Sequence, residues 1–489
     1  MSATSLLLRN GDAVPRRDVP VLDVAAFTAE VVGRVDAGGR VAALFGHAAP
    51  AGGVRLVAVV ADDEAGMLAV TTTDVDGAYP ALTPRCPQVH HFECEIAEQC
   101  GIQPVGHPAL TPVREMRSSA DRPFFEVAGD EVHEVAVGPV HAGVIEPGHF
   151  RFQCHGETVM HLEIALGYQH RGVERALAGG PTNRTIHYME TLAGDTSVGH
   201  ATAYCQALEA LAGCRVPPRA EVLRGVALEL ERIANHTGDL GALAGDVGYL
   251  PTASYCGRLR GDFLNLTALM CGSRFGRGMV RPGGVAFDLD AARTADLLAR
   301  LDRAVADVGE ATRLLWDEPS VQARFEGVGA LLLETSDGLG LVGPAARACG
   351  VARDVRHDQP AGIFRFSHIP VSTWNTGDVF ARAYVRWLEI QRSVAFVKEH
   401  LTALPDGPIR TRVDSLAADT LVVSLVEGWR GEICHVACTG EDGRFAPYKV
   451  VDPSFHNWLG LALALRDQEI SDFPLCNKSF NLSYCGHDL

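Results

Sequence analysis

The stretch of sequence that decides the fold runs Gly138-Pro139-Val140-His141-Ala142-Gly143-Val144-Ile145-Glu146-Pro147-Gly148-His149-Phe150-Arg151-Phe152. It belongs to a segment rich in Val and Gly, residues 132–152, and it carries the turn-forming tripeptide Glu146-Pro147-Gly148. Pro fixes a backbone angle suited to turns, and Gly tolerates the angles that other residues avoid. The segment therefore predicts two strands joined by a turn.

Downstream of this segment the sequence predicts long helices. Apolar residues recur at helical spacing at Val222, Val226, Leu230 and Ile233, behind Pro217-Pro218, and again at Leu297, Leu301, Val305 and Val308, behind Asp288 and Asp290. Such spacing places them on one face of a helix, facing a core. A third helix is expected from Asp378 to about Leu401, and a β-rich stretch over residues 420–451.

Upstream, short β-branched runs at 54–60 and 67–73 alternate with helix-like segments between about residues 20 and 115. The polar run from Arg114 to Arg122 is the best candidate for a linker. The expected fold class is α+β, with a small α+β domain over residues 1–120 and a large, mainly helical domain with small β elements over residues 121–489.

Composition excludes several classes of function. The 489-residue chain is 47% hydrophobic and carries a net charge of −17, with its Lys and Arg residues scattered, so no basic surface for nucleic acid is expected. No uncharged apolar stretch approaches the roughly eighteen residues that a membrane-spanning helix needs. The N-terminus has too short an apolar run, Leu6-Leu7-Leu8, for a signal peptide, so we expect a cytoplasmic protein.

Several segments are similar to one known family. The opening stretch above, together with Gly167-Tyr168-Gln169-His170-Arg171-Gly172-Val173-Glu174, resembles the start of the large subunit of formate hydrogenlyase-type (group 4, membrane-bound) nickel-iron hydrogenases and of the quinone-chamber subunit of respiratory complex I. Further segments resemble that family as well: Glu231-Arg232-Ile233-Ala234-Asn235-His236, Asp246-Val247-Gly248 and Arg281-Pro282-Gly283-Gly284-Val285. In the first domain, residues 100–110 resemble the small peripheral complex I subunit that some relatives carry as a fusion.

The resemblance also shows what this chain lacks. Family hydrogenases hold nickel and iron with two Cys-x-x-Cys pairs, because these metals require soft sulfur ligands. The positions that match the first pair, just before His200, are Ala193 and Thr196, and those that match the second are Ser483 and Gly486. Cys485 is displaced by one residue, which turns a side chain away from its neighbour's direction. We therefore expect no nickel-iron centre and no cofactor bound by this chain.

The complex I relative implies a different use of the same space, as a chamber for a quinone. Carried over on the motifs, His149 would be the chamber histidine, Asp246 its acidic partner and Tyr188 the tyrosine at the headgroup. A His-Asp pair raises the imidazole pKa and lets the ring deliver a proton to a reduced quinone. Each residue also has a plainer interpretation: His149 capping a turn, Asp246 capping a helix and Tyr188 packing with one hydrogen bond.

Two further cysteine-containing groups suggest metal ligands, but their spacing does not favour a metal. Residues 86–100 hold Cys86, His90, His91, Cys94 and Cys100 without a Cys-x-x-Cys pair, so structural zinc is disfavoured. Residues 434–438 hold Cys434, His435 and Cys438, which we interpret as small buried side chains.

The resemblance implies a subunit of a membrane-associated redox complex, peripheral on the inner face of the membrane. Its partners would be an iron-sulfur small subunit, which carries the cluster, and antiporter-like and quinone-site membrane subunits. The chain would be an oxidoreductase subunit that reduces quinone and is inactive as a hydrogenase. The alternatives are a non-catalytic scaffold that keeps the fold and, less favoured, a formate-linked hydrogenase subunit with substituted ligands.

Overall fold

A computed structural model describes residues 4–50, 52–114, 124–141 and 145–489. Its strands are β1 (Leu6–Leu8), β2 (Ala13–Pro15), β3 (Val21–Leu22), β4 (Arg40–Ala48), β5 (Val54–Asp62), β6 (Met67–Val75), β7 (Ala78–Pro80), β8 (Gln103–Val105), β9 (Val132–Val137), β10 (His149–His155), β11 (Thr158–Ala165), β12 (Val280–Arg281), β13 (Gly284–Val285), β14 (Thr420–Gly428), β15 (Gly431–Thr439) and β16 (Phe445–Val451). Its helices are α1 (Val24–Asp36), α2 (His90–Cys100), α3 (Val173–Leu177), α4 (Thr185–Met189), α5 (Ser197–Leu211), α6 (Pro218–Asp246), α7 (Leu250–Cys271), α8 (Ala291–Asp317), α9 (Pro319–Phe325), α10 (Leu333–Gly338), α11 (Gly343–Arg347), α12 (Val355–Asp358), α13 (Val379–Thr402), α14 (Pro453–Ala464), α15 (Phe473–Phe480) and α16 (Tyr484–Asp488).

The N-terminal region forms an α+β unit. Strands β1, β6, β5 and β4 make an antiparallel sheet, and β3 joins β6 in parallel. Helix α1 begins at Asp23, whose carboxylate accepts a hydrogen bond from Ala26 N at 2.8 Å. It buries Phe27, Val31 and Val32, which belong to the same hydrophobic cluster as the sheet. The predicted mixture of strands and helices in this region is confirmed.

A second sheet joins the two ends of the chain. Its order is β16-β15-β14-β2, so a strand from the first fifteen residues pairs with one that begins at Thr420. Side chains of β14 and β15, such as Val423 and Val436, belong to the same hydrophobic cluster as the N-terminal sheet. The N-terminal region and the C-terminal sheet thus share a core. The division at residues 120 and 121 stays a prediction, because the linker beyond Arg114 lies outside the described residues.

The segment rich in Val and Gly, residues 132–152, forms the predicted strands. Strands β9 and β10 pair antiparallel, with Phe150 opposite Val137, and β11 pairs on the other side of β10. The turn residues Glu146, Pro147 and Gly148 lie directly before β10, while residues 142–144 lie outside the described part of the chain. Phe150 and Phe152 point into a core formed with the C-terminal helices, so this sheet supports the end of the chain.

The remaining body is helical, as the periodicity predicts. Helices α5, α6, α7, α8 and α13 pack together, with α6 in contact with α7 and α13. Helix α6 starts at Pro218, a residue suited to a first helical turn, and the predicted stripe at Val222, Val226, Leu230 and Ile233 is buried. The α+β class is confirmed. Within the described residues, none of these helices combines the length and the apolar character that crossing a bilayer requires.

Candidate functional site

The two segments that match the family's metal-binding pairs meet in the fold. One is the turn between α4 and α5, and the other runs from the short loop after α15 into α16, which contains Gly486. The Arg171 guanidinium joins them: its NH2 donates to Leu192 O and to Cys485 O, each at 2.9 Å. The two segments therefore lie next to each other, although neither has a cysteine at a position that matches a metal ligand.

Hydrogen bonds within the protein engage Thr196 and Ser483, two of the four replaced positions. The Thr196 hydroxyl accepts from Trp429 Nε1 at 3.1 Å and from Arg430 NH1 at 3.2 Å. The Ser483 hydroxyl accepts from Gly486 N at 3.0 Å and caps helix α16. Both side chains are buried.

The other two replaced positions, Ala193 and Gly486, are buried and have no polar side chain. At Gly486 a side chain has no room, because an added Cβ would lie 2.7 Å from Oδ2 of Asp452. The present packing would have to move before a cysteine could stand there.

Cys485 lies next to these positions but is displaced by one residue from the position that would match a ligand. Burial, together with the carboxylate of Glu146, raises the pKa of the Cys485 thiol to about 11. Its Sγ lies 3.4 Å from the Ser483 hydroxyl. One thiol in place of four would also leave a nickel-iron centre three sulfur ligands short.

The guanidinium of Arg430 bridges the two segments. Its NH1 and NH2 donate to the Asp195 carboxylate at 2.6 and 2.8 Å, and its Nε donates to Asn481 O at 2.5 Å. It also lies 3.9 Å from the ring centroid of Trp429. Although burial opposes ionisation, Arg430 holds the pKa of Asp195 below its ordinary value. The pair is therefore charged, and its cation lies against a position where relatives place metal ligands.

Next to Gly486, a chain of buried hydrogen bonds runs away from the same site. Asp452 Oδ2 lies 3.0 Å from His200 Nε2, His200 Nδ1 lies 3.2 Å from His435 Nε2, and His435 Nδ1 lies 2.8 Å from the Tyr448 hydroxyl. Burial and the nearby His200 hold the pKa of His435 well below its ordinary value, so its ring is neutral. One set of directions that satisfies every contact has Tyr448 donating to His435, His435 donating to His200, and His200 donating to Asp452. This arrangement can transfer a proton along its length.

A second titratable group lies at the start of α5. The Glu231 carboxylate accepts from Val198 N at 2.7 Å and from Gly199 N at 3.2 Å. Burial raises the pKa of Glu231 to about 8, and these two backbone donors only partly oppose the rise. Glu231 can therefore gain or lose a proton near neutral pH.

Comparison with known proteins identifies the family. The sequence profile of the family described as "Respiratory-chain NADH dehydrogenase, 49 Kd subunit" matches residues 246–420. The carbon monoxide-induced hydrogenase of Rhodospirillum rubrum is 31% identical over 350 residues, which cover 71% of this chain and 97% of that relative. The chain belongs to this family of complex I and membrane-bound hydrogenase large subunits.

Other members of the family show similar identity. Formate hydrogenlyase subunit 5 of Escherichia coli is 29% identical over 437 residues, covering 83% of this chain and 76% of the relative. An NADH-quinone oxidoreductase subunit of Clostridium beijerinckii is 31% identical over 324 residues, covering 65% of this chain and 87% of the relative. The family resemblance inferred from the motifs is therefore confirmed.

The nickel-iron centre that the family resemblance implies for hydrogenases does not fit this donor set. Alanine and glycine offer no ligand atom, and the hydroxyls of Thr196 and Ser483 are hard donors already engaged by other groups. The Arg430 cation next to Thr196 further disfavours a metal there.

The three residues predicted for a quinone chamber lie on separate elements. His149 starts β10 and lies half-buried, with its Nδ1 3.4 Å from Gly138 O. Tyr188 lies on α4 with 38% of its surface exposed. Asp246 ends α6 and pairs with Lys478 Nζ at 2.5 Å. Among these three described side chains no hydrogen bond or ion pair joins any two, so the chamber set stays a prediction.

The sequence analysis did not predict several of the polar side chains that surround the replaced ligand positions. Arg430, Asp452 and His435 are far from the recognised motifs along the chain, and the pattern around His435 indicates only a buried stretch. The motif around Glu231 is recognisable, yet it does not reveal the role of the carboxylate. The signal available was Asp452-Pro453, an acid before a proline that starts a helix, but it predicts only a cap.

Proposed function

We propose that this chain is a subunit of a membrane-associated, complex I-like oxidoreductase, that it docks an iron-sulfur subunit, and that it holds no nickel-iron centre. One observation carries the proposal. The two segments that bind metal in family hydrogenases meet here with alanine, threonine, serine and glycine at the ligand positions, and Arg430 bridges them. Electrons would arrive from a cluster in the partner subunit.

We further propose that a quinone-like acceptor lies beside these segments. His149 and Tyr188 are partly exposed, so an acceptor held between this chain and a partner could reach them. His149 would supply a proton, Tyr188 would donate a hydrogen bond to the headgroup, and Asp246 would add negative charge. Glu231 and the Asp452–His200–His435 chain are groups through which protons could be resupplied.

The experiment for assembly is affinity purification of the tagged chain from membranes, with mass spectrometry and metal quantification. We expect an iron-sulfur subunit and membrane subunits to copurify, with iron present and nickel absent. Recovery of the chain alone from the non-membrane fraction, or stoichiometric nickel that depends on residues 193–196 and 483–486, would contradict the proposal.

The chamber is tested on the purified complex by quinone-dependent turnover. Tyr188→Phe and His149→Gln should lower turnover by about 10- to 100-fold, because general acid groups typically contribute roughly 10²–10⁴-fold and water can partly replace them. Tyr255→Phe is the matched control, since Tyr255 is an exposed tyrosine on α7. Equal activity in all three variants with intact assembly would reject the chamber.

The second candidate function is a non-catalytic scaffold. The salt bridge of Asp246 with Lys478 favours it, because the carboxylate is then already neutralised by a group other than His149. A scaffold predicts a complex that assembles with this chain and depends on it for stability, while the variants at His149 and Tyr188 leave turnover unchanged. A hydrogenase with substituted ligands would instead require nickel and hydrogen evolution.

A further inference from the structure

The N-terminal region contains a cluster of three side chains that no role in the redox site explains. A ring nitrogen of His90, the Sγ of Cys94 and a ring nitrogen of His107 all lie within 4.8 Å of one another. His90 and Cys94 stand four residues apart on α2, which places them on one face of that helix. His107 comes from the segment after β8, so the fold brings the third member from a separate element.

The geometry is close to that of a metal site. Cys94 Sγ lies 3.9 Å from His107 Nε2, and the rings of His90 and His107 stack with centroids 5.0 Å apart. In a tetrahedral zinc site, bond lengths of about 2.3 Å to sulfur and about 2.0 Å to nitrogen place these atoms roughly 3.6 Å apart. The Cys94–His107 separation is therefore within a few tenths of an ångström of that in a zinc site, whereas the His90 nitrogen, within 4.8 Å of both atoms, would have to move by up to roughly 1–1.5 Å to close the cluster around an ion.

The other candidate ligands nearby are engaged elsewhere. His91 Nδ1 lies 3.3 Å from Phe455 O, and Cys100 Sγ lies on the side of β4, 2.8 Å from where a Cβ of Gly46 would be. The Glu93 carboxylate accepts from Leu82 N, Thr83 N and the Thr83 hydroxyl. The described part of this region thus offers three ligands, which leaves one tetrahedral position open.

A cavity adjoins the cluster. It has a volume of about 630 Å³ and lies between α2, the segment after β8, β11 and α14. His90 lines it, together with His91, His161, Leu166 and Trp458. His90 is therefore the member of the cluster that connects it to this cavity.

We propose that His90, Cys94 and His107 bind one divalent transition-metal ion, with Zn²⁺ the best match, and that its fourth position opens toward this cavity. Two imidazoles and one thiolate are the donors that zinc and its neighbours prefer. The proposal does not rest on the redox function, and it departs from the expectation that the chain holds no metal. The ligand that the sequence spacing did not reveal is His107.

Binding is a simple exchange of a proton for a metal bond. The Cys94 thiol loses its proton to solvent as the sulfur-metal bond forms, and no electron is transferred. Burial lowers the pKa of His90 to about 4, so its imidazole is already in the neutral form that binds metals. A metal bound at His107 Nε2 leaves the ring proton on Nδ1. Ala109 N now donates to that Nδ1 at 3.2 Å, so this hydrogen bond must break when the metal binds.

The test uses the purified full-length chain, stripped with a chelator and titrated with Co²⁺, which reports thiolate ligation by a charge-transfer band. We expect one equivalent of cobalt per chain, the thiolate band, and bleaching of that band when Zn²⁺ is added. Cys94→Ala should abolish the band, and His107→Gln should weaken binding at least about tenfold, since even contacts outside the ligand shell are worth roughly 10–100-fold. Cys100→Ala, on the same helix, is the matched control and should keep both.

The outcomes decide the proposal. No thiolate band in the wild-type chain, or a band of equal strength in Cys94→Ala, would overturn it. A loss in Cys100→Ala as large as that in Cys94→Ala would assign the ion elsewhere and overturn it as well. If Cys94→Ala does not fold, as judged by circular dichroism, the proposal is decided by the affinity of the His107→Gln variant for cobalt, since His107 is half-exposed. Wild-type affinity in that variant would overturn the proposal. Nickel at the four replaced positions would survive both ligand variants, so the two metal questions stay separable.

Discussion

At the scale of single residues, buried groups that carry or exclude charge define the site. The Glu231 carboxylate accepts hydrogen bonds from two backbone N–H groups, which lower its pKa. Burial outweighs them and raises the pKa of Glu231 to about 8. Arg430 and Asp195 remain ionised because each neutralises the other. Of these two buried carboxylates, the one without a cation in contact keeps its proton more readily, and the one beside a cation loses it more readily.

Glu231→Gln should change how stability depends on pH. The pKa of Glu231 is higher in the folded chain than in the unfolded chain, so between about pH 4.5 and 8 only the folded state keeps the proton. The free energy of unfolding of the wild type therefore falls as pH rises through this window. Glutamine does not titrate, so the Glu231→Gln variant does not show this fall. Thermal melting should show Glu231→Gln gaining on the wild type from about pH 5 to about pH 8. Glu310→Gln, at an exposed position on α8, should show no such trend; a flat difference for Glu231→Gln would reject the assignment.

Gly486→Ala should destabilise the fold by about 1–3 kcal/mol, the usual cost of overpacking. Its Cβ would lie 2.7 Å from the Asp452 carboxylate, which is held by His200 and by Ser454 N. Gly194→Ala is the control in the other segment, because nothing lies within 4 Å of its added Cβ. Denaturant unfolding measures both. Equal stabilities of the two variants would show that the site has room for a side chain.

At the scale of elements, an acidic side chain caps the start of two of the long helices, α8 and α13. Asp378 caps α13: its Oδ1 accepts from Ala381 N and from the Thr376 hydroxyl, and its Oδ2 accepts from Gly327 N, each at 2.8 Å. Asp290 caps α8 at an exposed site, accepting from Arg293 N at 2.7 Å. Both acids precede predicted helices, so the sequence located these starts well.

Asp378→Ala should cost about 2–3 kcal/mol, since it removes a cap and leaves two further donors without their acceptor. Asp290→Ala is the comparison and should cost less, because water replaces its acceptor. The measurement is thermal unfolding followed by circular dichroism. A larger loss in Asp290→Ala would contradict the view that burial sets the difference.

At the scale of the whole molecule, the N-terminal region is tied to the C-terminal sheet by pairing, by a shared core and by charge. Arg40 of β4 donates to both carboxylate oxygens of Glu432 on β15, at 2.5 and 2.7 Å, with both side chains buried. This contact spans 392 residues of sequence. No local pattern predicts it.

Arg40→Met should destabilise the chain by about 3–5 kcal/mol, because Glu432 would be left buried without its cation. Arg55→Met removes a salt bridge with Asp74 at the surface of the same sheet and should cost at most about 1 kcal/mol. Differential scanning calorimetry compares the two. Comparable losses would show that the contact between the N-terminal region and the sheet contributes little.

The sequence by itself determined the family, the α+β class, the long helices and the absence of thiolates at Ala193, Thr196, Ser483 and Gly486. These follow from local periodicity, from caps and from residue identity, all of which are properties of neighbours in the chain. Only the tertiary structure decided that β2 pairs with β14 and that Arg430 bridges the two segments that match the family's metal-binding pairs. It also decided that Asp452, His200 and His435 form one hydrogen-bonded chain, and that His107 lies beside His90 and Cys94. Those contacts form between separate elements, several of which lie hundreds of residues apart in the sequence. The periodicity of a helix or strand shows which face of that element is buried, but not which distant element packs against it.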